Sequence, residues 1–153
     1  MTILTDEMKS FVERTQLCFV ATVNEDGTPN LSPKGSLAVF DGENLVFANI
    51  ASPNTVENLR RNPAIEINIV DIFRRRGYRF AGTAMLMPEG TPEYDFVAEP
   101  LWAKHGNAYP VHEVVKVHVS MVKEIRSPAY TYGENVTEEA LSIAFRKSYA
   151  ERA

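Results

Sequence analysis

Residues 27–36 read Gly27-Thr28-Pro29-Asn30-Leu31-Ser32-Pro33-Lys34-Gly35-Ser36, and this run lies at the centre of the region that decides the fold. The β-branched and aromatic segment 17–23 before it predicts a strand. Asp26-Gly27 predicts a tight hairpin turn, because glycine accepts a positive φ. Residues 31–40 are predicted to return as a second strand, with the two prolines confining its start to a sheet edge or an irregular stretch. The core therefore begins with an antiparallel hairpin.

The pattern around this hairpin predicts a barrel of about six strands. Further strands are predicted at 45–48, 64–70, 78–87 and 114–122. Helices are predicted after Thr5, over 52–61, over 90–103, and from Asn135 or Thr137 to Ala150. Many strands with short connections favour a closed antiparallel barrel, because closure leaves no exposed sheet edge. We expect a single domain over residues 1–153.

Composition restricts the classes of function. The 153 residues carry a formal net charge of −4, which provides no positive field to attract nucleic acid. No run approaches the roughly 20 apolar residues of a membrane span, and the first residues lack the features of a secretion signal, so we expect a cytoplasmic protein without a membrane partner. The single cysteine, Cys18, lies in an apolar run and is expected to act as a small buried hydrophobe.

The start of the helix at 52–61 is the first candidate site. Ser52, Asn54 and Thr55 place three hydrogen-bonding side chains where free backbone N–H groups and the helix dipole favour an anion. The plainer interpretation is that Ser52 only caps the helix. Lys34 comes two hairpin legs earlier and, in a barrel, could point at the same helix start. Together these residues predict a pocket for a phosphate monoester.

The ordered set of these motifs resembles the FMN-binding half of the pyridoxamine 5'-phosphate oxidase-like split barrels. The likeness extends over residues 8–88, more loosely over 114–125, and includes the helix ending Asn58-Leu59-x-x-Asn62-Pro63. The resemblance implies a mainly β fold, a Greek-key-like antiparallel split β-barrel with flanking helices, which binds FMN. The cofactor contacts that it implies fall on Ser32, Lys34, Gly35 and Ser36, on Ala48 and Asn49, and on Ser52, Asn54 and Thr55.

Two departures from the family pattern concern the phosphate. The family's usual lysine at the helix start is here Thr55, and its arginine on the second strand is here Ser32. The phosphate charge would then be met by Lys34 or by an arginine of the 74–79 cluster, of which we expect Arg76 to reach it. The alternative is that these arginines form a solvated hairpin whose charges keep an edge strand from pairing with another chain.

The C-terminal part departs further from the family. It lacks the Arg-x-His-type segment with which true vitamin oxidases clamp their substrate, so the resemblance does not extend to vitamin B6 synthesis. In the family the flavin lies at a twofold interface, where aromatic residues of the partner often cover it. Trp102, with His105 and Tyr109, is expected to supply this cover. The alternative is that these rings only pack together and stabilise the end of a helix.

The resemblance implies an FMN-dependent oxidoreductase that works as a homodimer. Hydride or electrons would pass between a nicotinamide-type donor, NADH or NADPH, and a small organic acceptor. No G-x-G-x-x-G fingerprint occurs, so a nicotinamide would be a transient substrate. Two alternatives remain: a flavin- or haem-binding module without turnover, and a deazaflavin (F420)-dependent reductase on the same barrel. No catalytic residue is predicted, and no metal site, because His112 and His118 lack a third ligand.

Overall fold

The computed structural model describes residues 2–153, over which five helices flank one seven-stranded antiparallel sheet. The strands are β1 (Cys18–Val23), β2 (Pro29–Lys34), β3 (Ala38–Val39), β4 (Asn44–Asn49), β5 (Ala64–Asp71), β6 (Arg76–Met87) and β7 (Glu113–Arg126). The helices are α1 (Asp6–Thr15), α2 (Pro53–Arg61), α3 (Pro92–His105), α4 (Ala129–Tyr132) and α5 (Glu138–Arg152). Within residues 2–153, no helix is both long and apolar enough to cross a lipid bilayer.

The sheet has the spatial order β2-β1-β5-β6-β7-β4-β3 and curls around an apolar interior. Strands that are distant in sequence are therefore neighbours, as β1 with β5 and β4 with β7. The predicted mainly β, antiparallel split barrel with flanking helices is confirmed, but the predicted closure is wrong, because within residues 2–153 the sheet is open with β2 and β3 as its edge strands. Because of this arrangement, the end of β2, the end of β4 and the start of α2 come close together.

The interior follows the alternation that the sequence predicts. On β5, Ile65, Ile67 and Ile69 are buried while Glu66 is exposed. Strand β4 is buried on both faces: Leu45 belongs to the barrel interior, whereas Val46 packs under α3. This explains why residues 45–48 form a continuous apolar run without alternation.

The predicted continuous strand over 31–40 is wrong. The structure ends β2 at Lys34 and forms only the two-residue β3 at Ala38–Val39. Between them, the hydroxyl of Ser36 accepts a hydrogen bond from the backbone N–H of Ala48 on β4, at 2.9 Å. A side chain thus replaces a backbone carbonyl at this edge, and residues 35–37 become a loop beside the ends of two strands.

Gly82 marks a bend in the long strand β6. The pairing of β6 with β7 shifts register between Ala81 and Gly82, as at a β-bulge. A Cβ added to Gly82 would collide with the carbonyl oxygen of His118 on β7. The close backbone approach at this bend therefore requires glycine.

Candidate functional site

A cleft of about 420 Å³ opens where β2 ends. This volume lies within the roughly 300–1,000 Å³ typical of small-molecule sites. One part of its wall is the segment 32–36, and the remaining lining residues are Ala48, Ile50, Ala51, Leu101, His105 and Tyr109. The structure thus brings the strand residues Ser32, Lys34, Gly35 and Ser36 together with Ala48, as the sequence predicts.

Lys34 is the buried cation of this cleft. Its side chain is only 9% exposed, and its Nζ donates hydrogen bonds to the hydroxyls of Ser32, at 3.1 Å, and Ser52. Within residues 2–153, no carboxylate contacts this ammonium group. Burial lowers the pKa of Lys34 below its usual 10.5. Because an ammonium has three donors and two are used, one N–H remains for an anion.

A chain of hydrogen bonds runs from Lys34 to a carboxylate. The Ser52 hydroxyl accepts from Lys34 and donates to Oδ1 of Asn49, at 3.1 Å. The backbone N–H of Ser52 donates to the same oxygen at 3.2 Å, and Nδ2 of Asn49 donates to Oε1 of Glu113 at 2.9 Å. Every proton along this chain points away from Lys34. Ser52 and Asn49 therefore position the ammonium, and the Ser52 hydroxyl has no proton left to donate to a phosphate.

Ser52 is the N-cap residue of α2 by position, but its side chain makes no capping hydrogen bond. Its hydroxyl is committed to Lys34 and Asn49 instead. Some N–H groups of the first turn of α2 therefore lack the side-chain acceptor that a serine normally supplies. The interpretation that Ser52 only caps the helix is wrong, and the helix start keeps its capacity to meet an anion.

Thr55 and Asn54 lie on different faces of α2. Thr55 is 1% exposed, and its hydroxyl has no hydrogen-bond partner within residues 2–153. A buried hydroxyl without a partner costs about 1–3 kcal/mol. Thr55 is not among the residues that line the cleft, so its predicted contact with the cofactor stays a prediction. Asn54 is exposed, because neighbouring helical residues point about 100° apart, and it lines two other hollows, one with Asn24 and Asp26 and one with Asn49 and Glu113. The structure therefore does not bring Asn54 into the wall of the Lys34 cleft, and its predicted contact with the cofactor stays a prediction.

Asn58 holds α2 in place. Its Nδ2 donates to Oγ1 of Thr22 at 3.1 Å and to Oδ1 of Asn24 at 2.9 Å, and its Oδ1 accepts from Arg61 at 2.7 Å. These bonds lock the helix onto the β1–β2 hairpin. The Asn58-Leu59-x-x-Asn62-Pro63 motif, used above only as a family marker, therefore has a physical role in aligning the helix start with the end of β2.

Arg76 does not line the cleft. It begins β6, with Nη1 at 2.8 Å from Glu138 of α5 and Nη2 at 3.0 Å from Glu7 of α1 and 3.6 Å from Glu124 of β7. The hydroxyl of Tyr78 lies at 2.9 Å from the same guanidinium. Three carboxylates already surround Arg76, so its predicted contact with a phosphate is corrected. It is a structural residue that joins two helices to the sheet.

Trp102 lies on α3 but outside the cleft of its own chain. Its indole N–H donates to the carbonyl of Tyr109 at 3.0 Å, and its ring packs edge-on against Tyr94. Trp102 thereby holds the loop that carries Tyr109, whose ring lies 4.7 Å from that of His105 in the cleft wall. The cover that Trp102 would supply to a partner subunit stays a prediction.

Some residues of the site were missed by the sequence reasoning. Ile50 and Ala51 line the cleft. They lie in the sequence between Asn49 and Ser52, which were both predicted site residues, so they could have been predicted as well. Leu101 and Glu113 had no such signal. Leu101 reaches the cleft only because α3 packs on β4, and Glu113 reaches Asn49 only because β7 pairs with β4.

These features fit a phosphorylated ligand with a flat ring. The buried ammonium of Lys34 and the start of α2 suit a phosphate. Apart from its two chain neighbours, no atom of the described residues lies within 4 Å of a Cβ added to Gly35, which leaves open space beside the strand end. His105 and Tyr109 supply aromatic surface. The fold and site define the class: a split barrel with a cleft at the end of β2 that contains a buried lysine.

The comparison with protein families agrees with this class. Residues 4–130 match the family described as pyridoxamine 5'-phosphate oxidase. The chain belongs to this family. The match ends before α5, which begins at Glu138.

Similar proteins at 31–32% identity include the following two. The uncharacterized protein MJ0282 of Methanocaldococcus jannaschii is 31% identical over 98 residues, which span 63% of this chain and 63% of that protein. The crystal structure of HupZ from Group A Streptococcus is 32% identical with a TM-score of 0.71, and the match covers 82% of this chain and 96% of that one.

Solved structures at lower identity share the fold alone. An FMN-binding protein from Syntrophomonas wolfei is 12% identical with a TM-score of 0.71, covering 81% of this chain and 87% of that one. An F420 reductase is 23% identical with a TM-score of 0.62, and the match covers 78% of this chain and 98% of that one. The heme storage protein HutZ from Vibrio cholerae is 18% identical with a TM-score of 0.61, and the match covers 78% of this chain and 93% of that one.

Proposed function

We propose that this protein is an FMN-dependent oxidoreductase that works as a homodimer. It passes hydride or electrons between a nicotinamide-type donor, NADH or NADPH, and a small organic acceptor. The observation that carries the proposal is Lys34, a buried cation whose partners within the described residues 2–153 are two hydroxyls and no carboxylate. Burying an unpaired charge costs free energy, and a bound phosphate offsets this cost.

Several residues of the cleft have a role in this function. Lys34 donates its remaining N–H to the phosphate, and the uncapped N–H groups at the start of α2 attract the same charge. Backbone N–H groups around Gly35 and Ser36 lie beside the ring, and His105 with Tyr109 excludes water from one side. When FMN is bound, its isoalloxazine supplies the hydride chemistry, while the protein binds and orients it.

An exposed apolar surface supports the homodimer. Phe19 on β1 is 44% exposed, and Leu31 on β2 is 66% exposed. Phe19 is paired across the hairpin with Pro33, which lines the cleft. An apolar surface that continues to the rim of the cofactor cleft suits a second copy of the chain, which would cover the cofactor with Trp102 or its neighbours.

A second candidate is a flavin- or haem-binding module without turnover. The observation that favours it is His105, an exposed imidazole in the cleft wall that could ligate a haem iron. HutZ, one of the proteins with this fold, is described as a heme storage protein, and another is described as an F420 reductase. A deazaflavin cofactor would use the same phosphate contacts.

The absorption spectrum and the mass of the ligand that co-purifies with the protein distinguish these functions. We expect a yellow protein with the mass of FMN, whose flavin absorbance bleaches anaerobically with NADH or NADPH. A flavin spectrum that neither donor bleaches would favour the binding module. A Soret band would indicate haem, and a colourless protein that takes up F420 but not FMN would indicate the deazaflavin reductase.

A further inference from the structure

A second cavity of about 810 Å³ continues the cofactor cleft. The two cavities share Gly35, Ser36, Leu101 and His105, so a molecule in one adjoins a molecule in the other. The second cavity lies between α3 and the loop after β2, and we call it the α3 lobe. It is nearly twice the volume of the cleft and has room for a separate small molecule beside the cofactor.

The floor of the α3 lobe is apolar. Leu37 and Val97 are buried there, and Phe96, 44% exposed, presents its ring to the cavity wall. The Phe96 ring is held edge-on against Phe40, with centroids 5.2 Å apart. An apolar floor with a fixed aromatic ring favours an organic molecule that has a ring of its own.

The rim of the α3 lobe is acidic. Glu13, Asp95 and Glu99 line it, against Lys104 as the one lysine in its wall. Within residues 2–153, none of these four side chains forms an ion pair. Carboxylates around a cavity with apolar walls raise the local concentration of cations and repel anions.

We propose that the α3 lobe is the substrate-binding part of the site and takes a ring-containing organic cation. Its role as a substrate site rests on the proposed function, but its preference for charge can be measured separately. Anionic substrates, phosphate esters among them, are disfavoured because Lys34, the one buried cation among residues 2–153, is engaged in the adjoining cleft. The floor binds the ring, and the rim selects the charge.

The test compares two probes with the same ring and opposite charge, 1-naphthylmethylamine and 1-naphthylacetate. Their dissociation constants are measured by probe fluorescence at pH 7 in 20 mM buffer, with and without saturating FMN. We expect the amine to bind at least fivefold more tightly. The double variant Asp95→Asn/Glu99→Gln should reduce this preference to less than twofold. Surface charges act over roughly 20–30 Å at such low ionic strength, so 0.5 M salt should also reduce it.

The matched control is Glu139→Gln/Glu151→Gln, which removes two exposed carboxylates from α5 and should keep the preference. Equal affinity for the two probes, or a preference that Asp95→Asn/Glu99→Gln leaves unchanged, overturns the proposal. FMN uptake is measured on the same preparation. FMN uptake without a preference for the cationic probe overturns the proposal for the α3 lobe alone. A preference for the cationic probe without FMN uptake overturns the proposed function and leaves a cation-binding site.

Discussion

The fold surrounds Lys34 and Arg76 with opposite kinds of partners. Lys34 is buried between two hydroxyls, with no carboxylate in contact within the described residues 2–153. Arg76 is 14% exposed and is surrounded by the carboxylates of Glu7, Glu124 and Glu138. Both residues are cations near the start or end of a strand, and the sequence analysis predicted a phosphate contact for both.

The difference shows how a binding cation can be told from a structural one. The charge of Arg76 is balanced inside the protein, where it joins α1 and α5 to the sheet. The charge of Lys34 is not balanced, so the folded protein carries a desolvation cost that an anion can offset. A ligand phosphate is expected at Lys34 and not at Arg76.

The largest effect is expected for Lys34→Met. This change removes the charge-assisted bond to the phosphate, so the FMN dissociation constant, measured by flavin fluorescence, should rise at least tenfold, about 1.4 kcal/mol. The free energy of unfolding should stay equal or increase, because an unpaired buried charge is replaced by an apolar side chain. Asn54→Ala is the control, since Asn54 lies outside the cleft, and it should change the affinity less than twofold. Unchanged FMN affinity in Lys34→Met would remove the phosphate site.

Arg76→Met should show the reverse pattern. Three carboxylates lose their shared cation, so the free energy of unfolding in urea should fall by about 1 kcal/mol, a value that allows for the exposure of the carboxylates. FMN affinity should stay within twofold of the wild type. A tenfold loss of affinity with unchanged stability would restore Arg76 as a ligand.

Glu113→Gln tests the hydrogen-bond chain behind Lys34. The amide that replaces the carboxylate binds Asn49 more weakly, so Asn49 and Ser52 hold the ammonium less firmly, and FMN affinity should fall about threefold. The control is Glu57→Gln, because Glu57 lies, like Glu113, within 4.0 Å of Arg60 but does not contact Asn49. Equal effects of the two changes would show that only the charge near Arg60 matters.

The smallest effect is a pH dependence of stability that Lys34 contributes. Burial lowers the pKa of Lys34 below 10.5 in the folded protein, so the folded state releases this proton at a lower pH than the unfolded state. Stability relative to Lys34→Met should therefore rise as pH increases from the lowered pKa towards 10.5. FMN affinity should fall over the same range. A stability difference that is flat with pH would contradict burial of the ammonium.

Much of the fold followed from the sequence because it depends on local patterns. Asp26-Gly27 predicted the first hairpin, the alternation over 64–70 predicted β5, and Ser52-Pro53 predicted the start of α2. The break at residues 35–37 did not follow, because the Ser36 hydroxyl meets Ala48 only after β4 has packed beside it. Long-range pairing of this kind leaves no mark on a single sequence.

The candidate site was predictable only in part, for the same reason. Lys34 and the start of α2 could be placed together by assuming a barrel. The pairing of Arg76 with three carboxylates could not, since Glu7, Glu124 and Glu138 are distant in sequence from it and from one another. The outward direction of Asn54 could have been inferred from the helical repeat once Ser52 and Thr55 faced inward.

The central claim is that this cleft recognises a phosphate attached to a flavin. FMN and riboflavin differ only by that phosphate, so the ratio of their dissociation constants isolates its contribution. We predict that wild-type protein binds FMN at least tenfold more tightly than riboflavin, and that the ratio falls below threefold in Lys34→Met. Equal affinity of the wild-type protein for the two flavins would contradict the account.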